Sequence, residues 1–174
     1  MAQDLDWISD KERYGMSRPF LKEQSIWAVW LYRIGRRIDR KPDTTWRKFL
    51  VAGYWPLFRL IETVVGISLP KNALIGPGLR IWHFGGIFIH PNSVIGANCT
   101  LRQGVTIGNR YDDGLAPVLG DNVALGAYAQ VLGNVRIGNN CRIGALTVVL
   151  HDVPDNATVV GNPARIIHAD NAPQ

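Results

Sequence analysis

The stretch 119–149 reads LGDNVA-LGAYAQ-VLGNVR-IGNNCR-IGALTV-V, and its spacing decides the fold. Leu119, Leu125, Val131, Ile137, Ile143 and Val149 recur six positions apart without a break. Gly120, Gly126, Gly138 and Gly144 follow four of them. The residue four places on is small or β-branched: Val123, Ala129, Val135, Cys141 and Thr147. Working outward, Ile75, Ile81 and Ile87 keep the same step, and so do Ile89, Ile95, Leu101 and Ile107. A period of six fits neither a helix nor the alternation of a strand. It marks hexapeptide β-helix repeats, in which each hexad gives one short strand and one corner and three hexads, about 18 residues, close a triangular coil. The expected fold is mainly β: a left-handed parallel β-helix with a short N-terminal α-helical arm. The aliphatic residues point inward, the glycines sit at corners where unusual backbone angles cost them little, and the ends need caps.

The 174 residues suit one domain plus an appendage, with a core that needs no staples. Cys99 and Cys141 both fall at the fifth place of a hexad and read as small wall residues. They form neither a disulfide framework nor a CxxC metal site, which suits a reducing cytoplasm. Residues 1–10 lack the basic start and apolar core of a signal peptide, so none is expected. A net charge of +5 and a pI near 9.5 suit anionic partners such as a nucleotide cofactor, a sugar nucleotide or a membrane surface. No nucleic-acid motif is present and the positive charge gathers in the N-terminal part, so a nucleic-acid partner is not expected.

Three regions are expected: a helical arm over 1–66, the solenoid over 67–153 with a protruding loop at 109–117, and a capping segment and tail over 154–174. Residues 1–16 are polar and read as loosely held. Ser17 and Pro19 read as a helix start. Ile26, Trp30, Ile34 and Ile38 make one helical stripe, with Arg33, Arg36, Arg37 and Arg40 off it. A second helical segment runs over about 44–65, where Pro56 should kink or divide it and Gly66 can end it. The arm has two readings: a packing element that caps the first coil and contacts neighbouring subunits, or an attachment to the inner face of a membrane. Arg59 and Glu62 interrupt the only apolar stretch near spanning length.

The chemistry-bearing residues are few. His83 sits in Trp82-His83-Phe84-Gly85-Gly86 among apolar residues and glycine, and histidine as a residue type is suited to general base work near neutral pH. His90 precedes Pro91 at a corner, and His151 and His168 lie at the solenoid end and in the tail. Histidines so spaced do not converge as zinc ligands do, so no metal is expected. The segment 109–117, charged and bearing Gly114 and Pro117, reads as a loop leaving a corner, where function concentrates in a uniform solenoid. Gly161-Asn162-Pro163-Ala164-Arg165 reads either as a capping turn or as a lid over an anionic cofactor, with Arg165 near a phosphate.

Hexads followed by Val148-Val149-Leu150-His151-Asp152-Val153-Pro154 and then by that Gly-Asn-Pro-Ala-Arg turn resemble the hexapeptide-repeat acyltransferases. Residues 75–167 are similar to the serine acetyltransferase branch and look closest to its short members of exopolysaccharide and colanic-acid type. Gly104-Val105-Thr106-Ile107-Gly108-Asn109-Arg110 and Val131-Leu132-Gly133-Asn134-Val135-Arg136-Ile137-Gly138 carry the likeness. The resemblance implies acetyl-CoA as acyl donor and a homotrimer with its active site between subunits. It implies that His83 takes the proton of the acceptor hydroxyl and that the backbone near Gly108 and Asn109 stabilises the thioester oxygen. Ala127 and Ala145 would line the pantetheine groove, and Gly161, Pro163, Ala164 and Arg165 would close over coenzyme A.

The departures shape the acceptor reading. The branch has an aspartate before the catalytic histidine, where this chain has Trp82. The aspartate that orients that histidine aligns near Ser68, and an Arg-His pair before a loop proline is replaced by Leu115-Ala116-Pro117. Trp82, Arg110, Asp112 and Asp113 are then the acceptor-binding candidates. A sugar hydroxyl in an exopolysaccharide or a lipid-linked glycan is the expected acceptor. Serine O-acetylation is the nearest alternative, and a non-catalytic β-helix scaffold is a third.

Overall fold

The computed structural model describes residues 5–112 and 114–167. Four helices come first: α1 (Leu5–Arg13), α2 (Pro19–Lys22), α3 (Ser25–Asp39) and α4 (Thr45–Val65). Thr44 caps α4 by accepting from the Arg47 amide at 3.3 Å, and Gly66 ends it with a left-handed φ of 68°. Pro56 lies inside α4 without dividing it. Ser17 caps nothing; α2 follows Arg18 in a left-handed conformation and α3 begins at Ser25.

The chain then winds into a parallel β-solenoid of five coils. The first coil holds β1 (Ile67–Ser68), β2 (Leu74–Ile75) and β3 (Arg80–Trp82), and the second β4 (Ile87–Ile89), β5 (Val94–Ile95) and β6 (Thr100–Arg102). The third holds β7 (Thr106–Gly108), β8 (Val118–Leu119) and β9 (Ala124–Leu125), and the fourth β10 (Gln130–Leu132), β11 (Arg136–Ile137) and β12 (Arg142–Ile143). The last has β13 (Val148–Val149), a bridge from Val153 to Ile137, and β14 (Thr158–Val160); β15 (Arg165–Ile167) then folds back antiparallel on β14. Three flat walls result: β1-β4-β7-β10-β13, β2-β5-β8-β11 and β3-β6-β9-β12-β14-β15. The hexad aliphatics stack inside, with Ile81, Leu101, Val131, Val149 and Val159 fully buried. Each such side chain contributes roughly 1.5–3 kcal/mol of burial. Val123, Ala129, Cys99, Cys141 and Thr147 are fully buried at the fifth places. Burial pushes the Cys99 thiol up to about 11, which leaves it a wall residue rather than a nucleophile.

The hexad glycines serve a different purpose from the one expected. Gly76, Gly96, Gly120, Gly126 and Gly138 are absent from the positive-φ residues. A Cβ on Gly126 would lie 2.5 Å from the Ala145 amide nitrogen, and one on Gly76 would lie 2.7 Å from that of Ala97. They are glycine because the next coil's backbone passes where a side chain would be. Left-handed backbone is supplied by other residues on two of the three edges. Asn98, Asn122, Asn140 and Asn156 line one, and amide-to-amide bonds of 3.0 Å join Asn122 to Asn140 and Asn140 to Asn156. Gly86, Gly104, Tyr128 and Leu146 line another, with His83 left-handed in the same corner as Gly86.

Coil lengths locate the two irregularities. Down the third wall, Ile81, Leu101, Leu125, Ile143 and Val159 are partners at steps of 20, 24, 18 and 16. The 20-residue step recurs between Ile67 and Ile87 and between Ile75 and Ile95, whereas Ile89 and Ile107 are 18 apart. The interval common to the long steps is 81–87, so two residues are added at the corner that carries His83. The 24-residue step likewise isolates 107–119, the segment with the charged loop.

The arm closes the first coil through polar side chains. Tyr32 donates its hydroxyl to the Ala73 carbonyl at 2.9 Å and accepts the Ile75 amide at 3.0 Å. Arg33 donates to the Ile75 and Gly76 carbonyls at 2.9 and 2.7 Å and pairs with Asp10 at 2.6 Å. Asp10 accepts the Leu79 amide at 2.8 Å, and Ser25 donates to the Ile81 carbonyl at 2.9 Å. Two expectations are corrected here. Residues 5–13 are helical and hold the fully buried Asp10, and Arg33 is a buried clamp rather than a solvated charge. On the outer side α4 leaves Trp46, Phe49, Leu60 and Val64 exposed. Among the described residues no helix is long and apolar enough to cross a membrane.

Candidate functional site

His83 occupies the corner between β3 and β4. Its φ of 65° is left-handed, and its side chain is exposed between Trp82 and Phe84, themselves exposed. A non-glycine residue in this region marks a backbone held by its surroundings and a candidate site. Here the hold is visible: Gly86 packs on Gly104, whose amide donates to the Gly85 carbonyl at 3.1 Å. No hydrogen bond involving the His83 side chain occurs among the described residues.

Below His83 the same edge continues coil by coil. The Tyr128 amide donates to the Gln103 carbonyl at 2.9 Å, and the Leu146 amide to the Ala127 carbonyl at 2.9 Å. Gln103, Ala127 and Ala145 therefore succeed one another down the edge at the strand spacing of about 4.8 Å. At the foot the chain folds back: Val148 donates to the Gly161 carbonyl at 3.1 Å, Ala164 donates to the Val148 carbonyl at 3.1 Å, and Gly161 donates to the Thr147 hydroxyl at 3.2 Å. Gly161, Pro163 and Ala164 are thus at the same edge as His83, with Arg165 next, exposed on β15. The edge carries Ala127 and Ala145 interleaved with the exposed Tyr128 and Leu146, with a histidine at one end and a cationic turn at the other.

The remaining candidates lie elsewhere. Gly108 ends β7 at the opposite margin of the first wall, where its carbonyl accepts the Gly133 amide at 2.8 Å. Asn109 ties the loop by donating to the Tyr111 carbonyl at 2.7 Å and the Asp112 carbonyl at 3.3 Å. Arg110 stands 5.4 Å from the Tyr111 ring centroid, and Asp112 is exposed. Asp113 and His168 fall outside the described residues. One chain therefore does not bring His83 together with Gly108, Asn109, Arg110 or Asp112. His90 accepts the Asn92 amide at its own Nδ1 and serves a turn, and His151 is exposed at the loop-side margin.

Two residues were not singled out in the sequence. Arg102 is the strand partner of Trp82, and Gln103 beside it keeps Oε1 buried without a partner. Their signal was present as a charge and an amide in Leu101-Arg102-Gln103-Gly104, at a hexad corner one coil below His83.

Residues 116–151 match the bacterial transferase hexapeptide (six repeats) model, and 87–110 the hexapeptide repeat of succinyl-transferase. Serine acetyltransferase of Bacillus subtilis strain 168 is 34% identical over 175 residues, covering 96% of this chain and 76% of that protein. The chain belongs to the hexapeptide-repeat acyltransferase family. Serine acetyltransferase of Synechococcus elongatus is 42% identical over 114 residues, which cover 64% of this acyltransferase-family chain but 47% of that protein. The solved serine acetyltransferase of Neisseria gonorrhoeae superposes with a TM-score of 0.78 at 32% identity, over 92% of this chain and 63% of that one. The chain thus spans between 47% and 76% of these longer relatives. Solved proteins of the same name include complexes with serine and with coenzyme A.

These likenesses correct the expected acceptor. The matched proteins are named serine acetyltransferases, which favours serine over a sugar hydroxyl or lipid-linked glycan and gives the exopolysaccharide branch no support. Trp82, an acceptor-binding candidate, stays exposed beside His83 and meets the Arg80 guanidinium 4.0 Å from its ring centroid. Arg80 is fully buried, with Tyr14 on its other side at 3.9 Å.

Proposed function

We propose that the protein is a serine O-acetyltransferase that uses acetyl-CoA and works as a trimer. The observation that carries this reading is His83, exposed and held left-handed at the head of the edge that carries Ala127 and Ala145, in a chain whose relatives share that name. In the reaction, the His83 imidazole accepts the proton of the serine hydroxyl as that oxygen attacks the thioester carbonyl. The tetrahedral oxyanion is stabilised by the backbone at Gly108 and Asn109. Collapse breaks the C–S bond, forms the ester, and returns the proton from His83 to the leaving thiolate, giving O-acetylserine and coenzyme A. Ala127 and Ala145 flank the pantetheine arm, and Gly161, Pro163, Ala164 and Arg165 close over the cofactor.

Where these residues lie supports the trimer. His83 and the Gly108–Asn109 corner stand at opposite margins of one wall, so a complete site needs the His83 edge of one copy against the loop edge of the next. Three such head-to-tail contacts close a ring. The arm caps coil one, and its exposed α4 stripe suits contacts with neighbouring copies.

Thiol release from acetyl-CoA in the presence of L-serine tests the reading; no serine-dependent release by the folded protein would overturn it. Ala145→Trp tests the groove. Its side chain is exposed at the edge, so the core is untouched, but the ring would fill the space assigned to pantetheine. Overpacking of this kind costs about 1–3 kcal/mol, so coenzyme A affinity by calorimetry is expected to fall about 10- to 100-fold. Unchanged affinity would place the groove on another edge.

A further inference from the structure

We infer that Arg102 is the cation that holds the carboxylate of the amino-acid acceptor beside His83. The inference rests on the serine reading and adds the group that would recognise the acceptor. Serine is a zwitterion, and a carboxylate brought into a partly enclosed site needs a paired donor; a guanidinium provides two parallel N–H bonds in a fixed fork. The cations near His83 can be taken in turn. Arg80 is three residues away but fully buried between Tyr14 and Trp82, with Glu23 at 3.6 Å. Arg13 is committed to the Gly78 and Asn98 carbonyls and the Thr100 hydroxyl. Arg110 lies across the first wall on the loop, against Tyr111.

Arg102 differs from all three. It is exposed and has neither hydrogen bond nor ion pair among the described residues. As the register partner of Trp82 it sits on the same wall one strand spacing below, about 4.8 Å. The chain continues from it into Gln103 and Gly104, the corner bonded to Gly85 directly beneath His83. An arginine side chain is longer than that spacing, which is enough to carry its fork to the His83 corner while its strand stays fixed by the β3–β6 pairing. The neighbouring Gln103 amide, with Oε1 unpartnered, leaves this corner polar and unfilled. A rigid strand thus carries a free guanidinium to the His83 end of the edge, where the hydroxyl to be acetylated must lie.

The test compares L-serine with L-serinamide, which keeps the hydroxyl and amine but lacks the carboxylate, in thiol-release kinetics. The unsubstituted enzyme is expected to prefer serine. Arg102→Gln is expected to raise the serine KM about 10- to 100-fold, in line with the loss of charged hydrogen bonds. The acetyl-CoA KM should hold and the preference over serinamide should collapse; Arg102→Lys should restore part of it. Light scattering and circular dichroism confirm that each variant is folded and assembled. Retention of the serine preference by Arg102→Gln would overturn the inference, as would its loss in Arg110→Gln alone. Absence of serine turnover in the unsubstituted enzyme would instead overturn the functional reading, and the anchor with it.

Discussion

His83→Ala is expected to lower kcat by about 10²–10⁴-fold, the usual worth of a positioned general base, while coenzyme A binds as before. The two effects separate because His83 heads the edge whereas the proposed cofactor contacts lie two to four coils below it. The substitution removes an exposed ring with no hydrogen bond among the described residues, so fold and assembly should persist. Stopped-flow or steady-state thiol release gives kcat, and calorimetry gives the coenzyme A affinity. Near-normal turnover would remove His83 from the mechanism. A parallel loss of cofactor affinity would mean that it contacts the thioester end rather than acting on the acceptor proton.

Arg33→Ala is expected to destabilise the fold by about 3–5 kcal/mol, the cost of stranding a buried charge. Arg33 and Asp10 are 3% and 0% exposed and bond at 2.6 Å. Without the guanidinium, the Asp10 carboxylate keeps the Leu79 amide at 2.8 Å but loses its cation. The Ile75 and Gly76 carbonyls lose their donors as well. Urea unfolding measures the change. A cost below about 1 kcal/mol, typical of an exposed pair, would show that water takes over these groups and that the arm does not seal the first coil.

The solenoid was legible because its period is enforced by stacking, with every hexad aliphatic under its counterpart one coil up. Its frame was harder to read at one place. Ile87 keeps the step of six from Ile81, yet its partner is Ile67, a fifth-place residue, and Ile89 is the true member of the stack with Ile107. Two inward positions lie two residues apart on each first-wall strand. An insertion of two residues therefore carries the rhythm from one onto the other unnoticed, and that insertion is the corner of His83. The Asp10–Arg33 clamp left no local mark, since Arg33 meets its carbonyls across 42 and 43 residues of chain. At the proposed site, the roles given to the histidine and the small residues of one edge come from the family likeness, and the structure adds that one edge carries them. The acceptor was misjudged because the departures at Trp82 and Leu115-Ala116-Pro117 were weighed above the family likeness, whereas the matched proteins are serine acetyltransferases.

Parallel coils end in unpaired strand edges that can template further coils. Here Tyr32, Arg33, Asp10 and Ser25 occupy those groups at one end, and β15 turns back on β14 at the other. Filament growth by coaxial stacking is thereby blocked, and a chain cut to start at residue 67 would regain it. Copies are left to meet flank to flank, along the long edges where His83 and the charged loop face outward.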